Sequence, residues 1–442
     1  MAHAHDHAAH VSTEGQTGIR KGATFIISGL SSGHGVFHWF TRSFDVMMPE
    51  VREAFGLTGV GVGGIATTRE LVSGLIALPG GIVTDLLRRY WGWVLAACMA
   101  VFGFGWLVIG ISPVYPLLLV GMALVALASS LWHLPAMSAL SHHFSHRRGS
   151  ALSFHGVGGQ AGDALAPVVT GFLLVTLAWQ QIISIYAVVP LLLTFVVFWA
   201  FRDLGRTGYQ EEAEKPDIRS QLAQSARLFK NPRLMLITLI AGLRGMAFVA
   251  YIPFLTLYLH DTLGLSVQSR GAHLTLLVLV GIISTPIMGY LSDRFGRKTV
   301  LIPGMLFIGI MTVLLVPFGE GIFLLVILAL LGTFLFSDQP ILTAAALDIV
   351  GEGVAASTLG VLSFSRFILS ASSPLIAGYL YNRNSDFTFF YIAGLFGIAT
   401  ILLLFLKLPK VESAGHHGHD DHGDNQAEHD GHDHHDHGEH HH

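Results

Sequence analysis

His34, His38 and Asp45 lie in the stretch "SGHGVFHWFTRSFDVMMPE" (residues 32–50), whose surroundings are apolar enough to cross a membrane. On an α-helix, His34 and His38 stand about 40° apart, and Asp45 returns to within about 20° of His34. All three therefore share one face. A charged group at the bilayer centre costs at least ~2.5–3.5 kcal/mol on insertion scales, so that face must look away from lipid into a cavity. Imidazole titrates near neutral pH and suits proton relay. With a carboxylate it also suits transition-metal binding. Arg42 falls off this face and near the helix end, where snorkelling into the interface is expected.

The same reading picks out Arg69, Glu70, His133, His155, Asp163, Arg244, Asp338 and Arg366 within other apolar runs. At 1.5 Å per residue, His34, Glu70, Asp163, Arg244, Asp338 and Arg366 lie roughly 16–24 Å from the start of their spans, near the midplane. His133 and His155 share a shallower depth and are expected to meet. Three acids and three arginines could pair completely. Their distribution points instead to divided labour, with acids and histidines in the first half of the chain and two arginines but one acid in the second. His34, Glu70, Asp163 and Asp338 are the proton-coupling candidates. His38, Arg69, His133, His155, Arg244 and Arg366 are the candidates for substrate contact, the arginine fork suiting carboxylate or phosphonate. Each has a plainer account. Arg69 and Glu70 can belong to structural ion pairs. His133 can satisfy a carbonyl freed by Pro135, and His155 can be a packing residue. Asp163 and Asp338 can simply neutralise arginines. As a set they favour function, because intramembrane ionisable residues usually mark a pathway.

The elements that must position these groups follow from composition. Of 442 residues, 52% are hydrophobic and 12% charged, about half the charged share of a soluble protein. Continuous apolar runs select helices over barrel strands. Twelve spans are predicted, at 22–48, 59–83, 91–111, 115–141, 149–177, 181–201, 233–259, 270–290, 299–317, 322–348, 354–381 and 388–408. The organisation is an N-terminal tail (1–21), a six-helix half (22–201), a polar central loop (202–232), a second six-helix half (233–408) and a C-terminal tail (409–442). Eighteen of the 25 Lys and Arg residues fall on the side holding both termini, against three (Arg52, Arg270, Arg383) on the other. By the positive-inside rule both termini are expected in the cytoplasm. No cleavable signal peptide is visible. Cys98 is the single cysteine, so an intramolecular disulfide and a thiolate metal cluster are excluded. No nucleotide loop, nucleophile elbow or zinc-protease pattern occurs, and an enzyme is not expected.

"GGIVTDLLRRYWG" joins spans 2 and 3, and "GYLSDRFGRK" joins spans 8 and 9, the equivalent place in the second half. The latter resembles the G-x-L-x-D-R-x-G-R-K signature of the major facilitator superfamily, and the former resembles a degraded copy with Leu86 for the usual Arg and Arg88 for the second Gly. The resemblance covers all twelve spans. It implies an all-α membrane fold of two pseudo-symmetric six-helix halves and transport by alternating access. Spans 3, 6, 9 and 12, which lack ionisable residues apart from Lys407 at the very end of span 12, are then the outer helices. Asp85 and Asp293 are implied to cap a neighbouring helix in one gating state, and Arg88, Arg89, Arg294 and Arg297 to make salt bridges beside them. Residues 32–58, "SSLWHLPAMSAL" and "RRGSALSFHGVGGQAGDALAPVV" are similar to spans 1, 4 and 5 of the fosmidomycin-resistance branch of that family.

The expectation is a proton-coupled exporter of a small organic, anionic compound. It would work in the bacterial cytoplasmic membrane as a monomer, with protons for coupling, no cofactor and no nucleic-acid partner. The nearest alternative is a divalent-metal exporter fed by the tails, and a weaker one is a non-transporting metal sensor or store. The N-terminus carries His3, His5, His7 and His10, and residues 416–442 hold twelve histidines and eight acids. His416, His417, His419, His422, His432, His434, His435 and His437 are candidate ligands for nickel, cobalt, zinc or copper. A disordered, solubilising tail is the plainer account.

Overall fold

The computed structural model describes residues 19–144, 147–206, 230–350 and 355–408, together with 223, 227 and 228. Both histidine-rich tails lie outside the described residues, as does most of the central loop. Every regular element among the described residues is helical. The first half comprises α1 (Ala23–Val46), the short α2 (Met48–Ala54), α3 (Gly59–Leu86), α4 (Trp91–Ile111), α5 (Tyr115–His143), α6 (Arg148–Leu173) and α7 (Trp179–Phe201). The second comprises α8 (Pro232–Asp261), α9 (Val267–Phe295), α10 (Arg297–Phe318), α11 (Gly321–Leu335), α12 (Asp338–Val350), α13 (Ala355–Ala371), α14 (Ser373–Arg383) and α15 (Ser385–Phe405). These coincide with the predicted spans, the tenth being divided into α11 and α12 and the eleventh into α13 and α14. Eight spans are long and apolar enough to cross a membrane on those criteria alone. The other four are α1, α3, α6 and the α13–α14 pair. They contain the Gly, Ser, Thr and ionisable residues that face protein rather than lipid, which lowers their hydropathy.

Local chemistry sets several boundaries. Asn231 caps α8 by accepting from the backbone N–H groups of Arg233 and Leu234, with Pro232 in the first turn. Gly296 turns the chain between α9 and α10 at φ +95°, which L side chains rarely adopt. That gives the second glycine of "GYLSDRFGRK" a physical reason. In the first copy Arg88 stands there, and the chain turns instead through a 3-10 helix, Arg88–Tyr90.

Within the first half α1 lies along α6, and glycine permits the approach. A Cβ on Gly158 would sit 2.0 Å from the Ser31 carbonyl oxygen, and one on Gly35 would sit 2.8 Å from that of Gly158. The glycine-rich sixth helix is therefore a packing surface. The helices α4, α7, α10 and α15, free of charged residues beyond their first turns, pack on elements of their own half. They expose apolar side chains such as Phe195, Trp199 and Phe405, as lipid-facing helices should.

The halves meet along α3 with α13 and α14, and along α6 with α9. The contact is tightest at the end of the bundle that holds the α1–α3 and α8–α9 connections. There the Gly59 N–H donates to Asn382 Oδ1 (2.7 Å), and Gly63 and Gly378 lie against the backbone of the opposite half. Further along, Thr67 donates to the Ala371 carbonyl (2.7 Å) and Thr275 to that of Ala164 (3.1 Å). Towards the other end, a Cβ at Gly156 of α6 or Gly289 of α9 would meet nothing within 4 Å.

Gly158→Val should force α1 from α6. Reversible unfolding by SDS titration is expected to show a loss of about 1–3 kcal/mol or more, as for other overpacked sites. Unchanged stability would contradict the close approach.

Candidate functional site

The ionisable residues of the interior gather in three groups. The first lies between α1, α5 and α6. Arg42, with 12% of its side chain exposed, donates through Nε to Asp163 Oδ1 (2.9 Å) and through Nη1 to Asp45 Oδ2 (3.2 Å). The expectation that Arg42 snorkels is therefore corrected. Two carboxylates hold it inside, one of them a turn away on its own helix. Its guanidinium also lies 5.8 Å from the centre of the Phe336 ring, at the α11–α12 break of the other half. His38 Nδ1 lies 2.9 Å from Asp163 Oδ2. Asp163 thus neutralises an arginine and orients a histidine.

Three imidazoles surround His34. Its ring stacks on His155 (centroids 4.2 Å apart, planes 6° apart) and meets His38 and His133 edge-on at 4.5 and 4.8 Å. His133 and His155, expected to meet each other, are instead brought together through His34. His34 Nδ1 lies 2.8 Å from the backbone carbonyl of His155. His133 Nδ1 lies 2.6 Å from that of Ser129, which is not the Leu131 carbonyl that Pro135 leaves without its helical partner. Gly159 makes room for the rings, since a Cβ there would fall 2.8 Å from His34 Cε1 and 3.1 Å from His38 Cδ2.

The second group joins α8 to the break before α12. Arg244 donates through Nε to Asp338 Oδ1 (2.8 Å) and through Nη2 to the Leu335 carbonyl (2.6 Å), and stacks on Phe248. Both partners are almost fully buried.

The third lies where α3 meets α13. Glu70, 5% exposed, has Arg69 3.5 Å away and Ser370 Oγ of the other half at 3.2 Å. Arg366 stacks on Phe367 at 4.1 Å and runs beside Gly245, next to Arg244 on α8. Among the described residues no hydrogen bond or ion pair reaches its guanidinium. Formal charges make the asymmetry plain. Arg42, Asp45 and Asp163 leave one negative charge beside the histidines; Arg244 and Asp338 cancel; Arg69, Glu70 and Arg366 leave one positive charge.

At the tight end two ion pairs join the halves, Glu50 with Arg270 and Arg52 with Asp261. Tyr381 also donates to Asp261 (2.9 Å). Burial works against the Arg52 guanidinium, but its hydrogen bonds and charge interaction with Asp261 outweigh this and raise its pKa above the ordinary arginine value. Sequence reasoning counted Arg52 and Arg270 only as charges outside the bundle. The available signal was opposite charge on the equivalent turns of the two halves.

At the opposite end, Arg297 pairs with Asp293, reaches Asp348 on α12 (3.1 Å) and donates to Ser292 Oγ (2.9 Å). Among the described residues Asp293 is engaged by Arg297, and residues 351–354, just before α13, lie outside the described residues. Arg294 donates to Tyr290 Oη. Arg88 and Arg89 lie over the Trp91 and Tyr90 rings. The side chain of Asp85 and the tail histidines from His416 to His437 lie outside the described residues.

Two six-helix halves closed at one end around buried charges are the architecture of a secondary transporter. The model of the Major Facilitator Superfamily matches residues 30–272 and 237–427, and the chain belongs to that superfamily. It is 26% identical over 327 residues to the MFS-type transporter YfnC of Bacillus subtilis, covering 72% of this chain and 78% of that protein. It is 24% identical to the fosmidomycin resistance protein of Escherichia coli (62% and 67%) and 25% identical to the probable sulfoacetate transporter SauU of Cupriavidus necator (56% and 62%). Among solved structures the nucleoside transporter NupG superposes with a TM-score of 0.72 at 12% identity, over 86% of this chain and 98% of that one. A bacterial homologue of the human lysosomal transporter Spinster, inward-facing and unoccupied, gives 0.68 at 14% over 89% and 96%. The chain is thus a multi-pass membrane transporter of small molecules.

Removing one partner of a buried pair strands the other charge and typically costs 3–5 kcal/mol. Arg42→Gln and Asp163→Asn should each destabilise the protein by about that much, and the double variant by less than their sum. A double-variant cycle in SDS unfolding with no coupling between them would refute the pair.

Proposed function

We propose that the protein exports a small organic anion in exchange for protons. Arg366 carries this reading, because it is a permanently charged group inside the bundle whose guanidinium no hydrogen bond or ion pair reaches among the described residues. An arginine in that position is stabilised whenever an anionic cargo occupies the cavity. Relatives named for fosmidomycin, sulfoacetate and hexose phosphate agree, since those compounds carry phosphonate, sulfonate or phosphate. The excess of Lys and Arg on one side supports a cytoplasmic location for both termini and a bacterial cytoplasmic membrane. The tight end then faces outward, and the conformation is inward-facing, with cargo entering between α6 and α9.

Glu70 is the best-placed proton carrier. Asp163 and Asp338 are tied to arginines of their own half, and those ties need not change as the halves rock. Glu70 instead touches Ser370 across the interface, so its surroundings change with each cycle. His34 is a second relay member, at the centre of the imidazole cluster.

In proteoliposomes, Glu70→Gln is expected to abolish transport driven by a pH gradient while sparing exchange of cargo for cargo. Gradient-driven transport at the parent rate would remove Glu70 from the coupling. With fosmidomycin and sulfoacetate as probes, Arg366→Lys should weaken binding about tenfold and Arg366→Gln about a hundredfold, the losses expected for a charge-assisted pair. Parental affinity in Arg366→Gln, for a probe the parent binds, would make the arginine structural. Failure of the parent to bind either probe would direct the search to other cargo.

A further inference from the structure

Three of the four clustered histidines share a feature that the transport reading does not use. Each engages an acceptor through Nδ1: His34 the His155 carbonyl at 2.8 Å, His133 the Ser129 carbonyl at 2.6 Å, and His38 the Asp163 carboxylate at 2.9 Å. A carbonyl or carboxylate oxygen only accepts, so Nδ1 must carry the proton in each ring. In the neutral imidazole that leaves the lone pair on Nε2. Among the described residues no protein group binds any of these three Nε2 atoms. One ring nitrogen from each of the three residues lies within 4.8 Å of the others.

This is how metal-binding histidines are held. The second ring nitrogen donates to a carboxylate or carbonyl, which fixes the tautomer and raises the basicity of the ligand atom. We propose that His34, His38 and His133 form a binding site for one divalent transition-metal ion, coordinated through their Nε2 atoms, with a fourth position open to water or a donor group of cargo. Three neutral imidazoles suit zinc, cobalt, nickel or copper and disfavour magnesium or calcium. Tetrahedral coordination at 2.0–2.1 Å would bring the ligand nitrogens to about 3.4 Å from one another, so the rings would have to turn and close in on the ion. The negative charge left over from Arg42, Asp45 and Asp163 lies beside the site and favours a cation. Gly159 keeps the space the rings occupy. His155 presents its carbonyl to His34 and is not counted as a ligand.

The site is independent of the anion reading, which rests on Arg366 in another part of the bundle. Its test therefore measures metal binding rather than transport. Full-length purified protein is titrated with Co2+, whose four-coordinate complexes absorb strongly in the visible. The histidine-rich tails are identical in parent and variants and cancel in the difference. The parent should show one equivalent with a four-coordinate spectrum. His34→Ala, His38→Ala and His133→Ala should each lose it, while His273→Ala, on α9 away from the cluster, retains it. Gly159→Ala removes no ligand but crowds the rings, and should weaken the same equivalent about tenfold or more, as for other disturbed metal surroundings. It therefore decides the case if a histidine variant fails to fold. A parent spectrum unchanged in all of these variants would overturn the proposal, as would a parent whose Co2+ is entirely six-coordinate.

Discussion

An ionised side chain in hydrocarbon is costly unless it is paired, and that constraint organises this molecule, Arg366 being an interior arginine that no hydrogen bond or ion pair reaches among the described residues. Every pair found in the interior belongs to one of two classes. Arg42 with Asp163 and Asp45, His38 with Asp163, and Arg244 with Asp338 lie within a single half. Each half can therefore move as a body without stranding a charge. Glu50 with Arg270 and Arg52 with Asp261 cross between halves. They lie at the bundle end, where water can take over their solvation when they part. Pairs too costly to break hold the halves together internally, and pairs that solvent can replace hold the halves to each other.

Backbone packing follows the same division. Gly35 and Gly158 let α1 and α6 touch inside the first half, where the contact is permanent. Gly59, Gly63 and Gly378 let the halves touch at the closed end, where it must be reversible. Small residues give close approach without interdigitated side chains, so surfaces can separate without repacking a core. The α11–α12 break places Phe336 against both Gly281 of its own half and the Arg42 guanidinium of the other, which makes it a point where the two classes of contact meet.

The fold was legible in the sequence to an unusual degree. Apolar run length marked the spans, and the absence of ionisable residues from the middle of spans 3, 6, 9 and 12 marked the outer helices. Helical angles also placed His34, His38 and Asp45 on one face. The partners were less legible, because pairing depends on the distance between helices rather than along them. Arg42 is about 60° from Asp45 around α1 in projection, so its partner on that helix was within reach of the same arithmetic. Asp163, on α6, was not. Likewise Arg52 and Arg270 read as surface charges, because only the closed arrangement of the halves brings Asp261 and Glu50 to them. The shared Nδ1 hydrogen bonds of the three histidines involve backbone carbonyls, which no residue pattern reveals.

The central claim is that the two inter-half ion pairs latch the closed end. Spin labels at Leu86→Cys and Phe295→Cys, at the open end of each half in a Cys98→Ser background, report that end by pulsed electron–electron distance measurement. The parent should be dominated by the longer separation. Adding Arg52→Gln and Arg270→Gln should release the latch and populate a shorter separation as the halves rock over. Superimposable distributions with and without the latch would contradict the account.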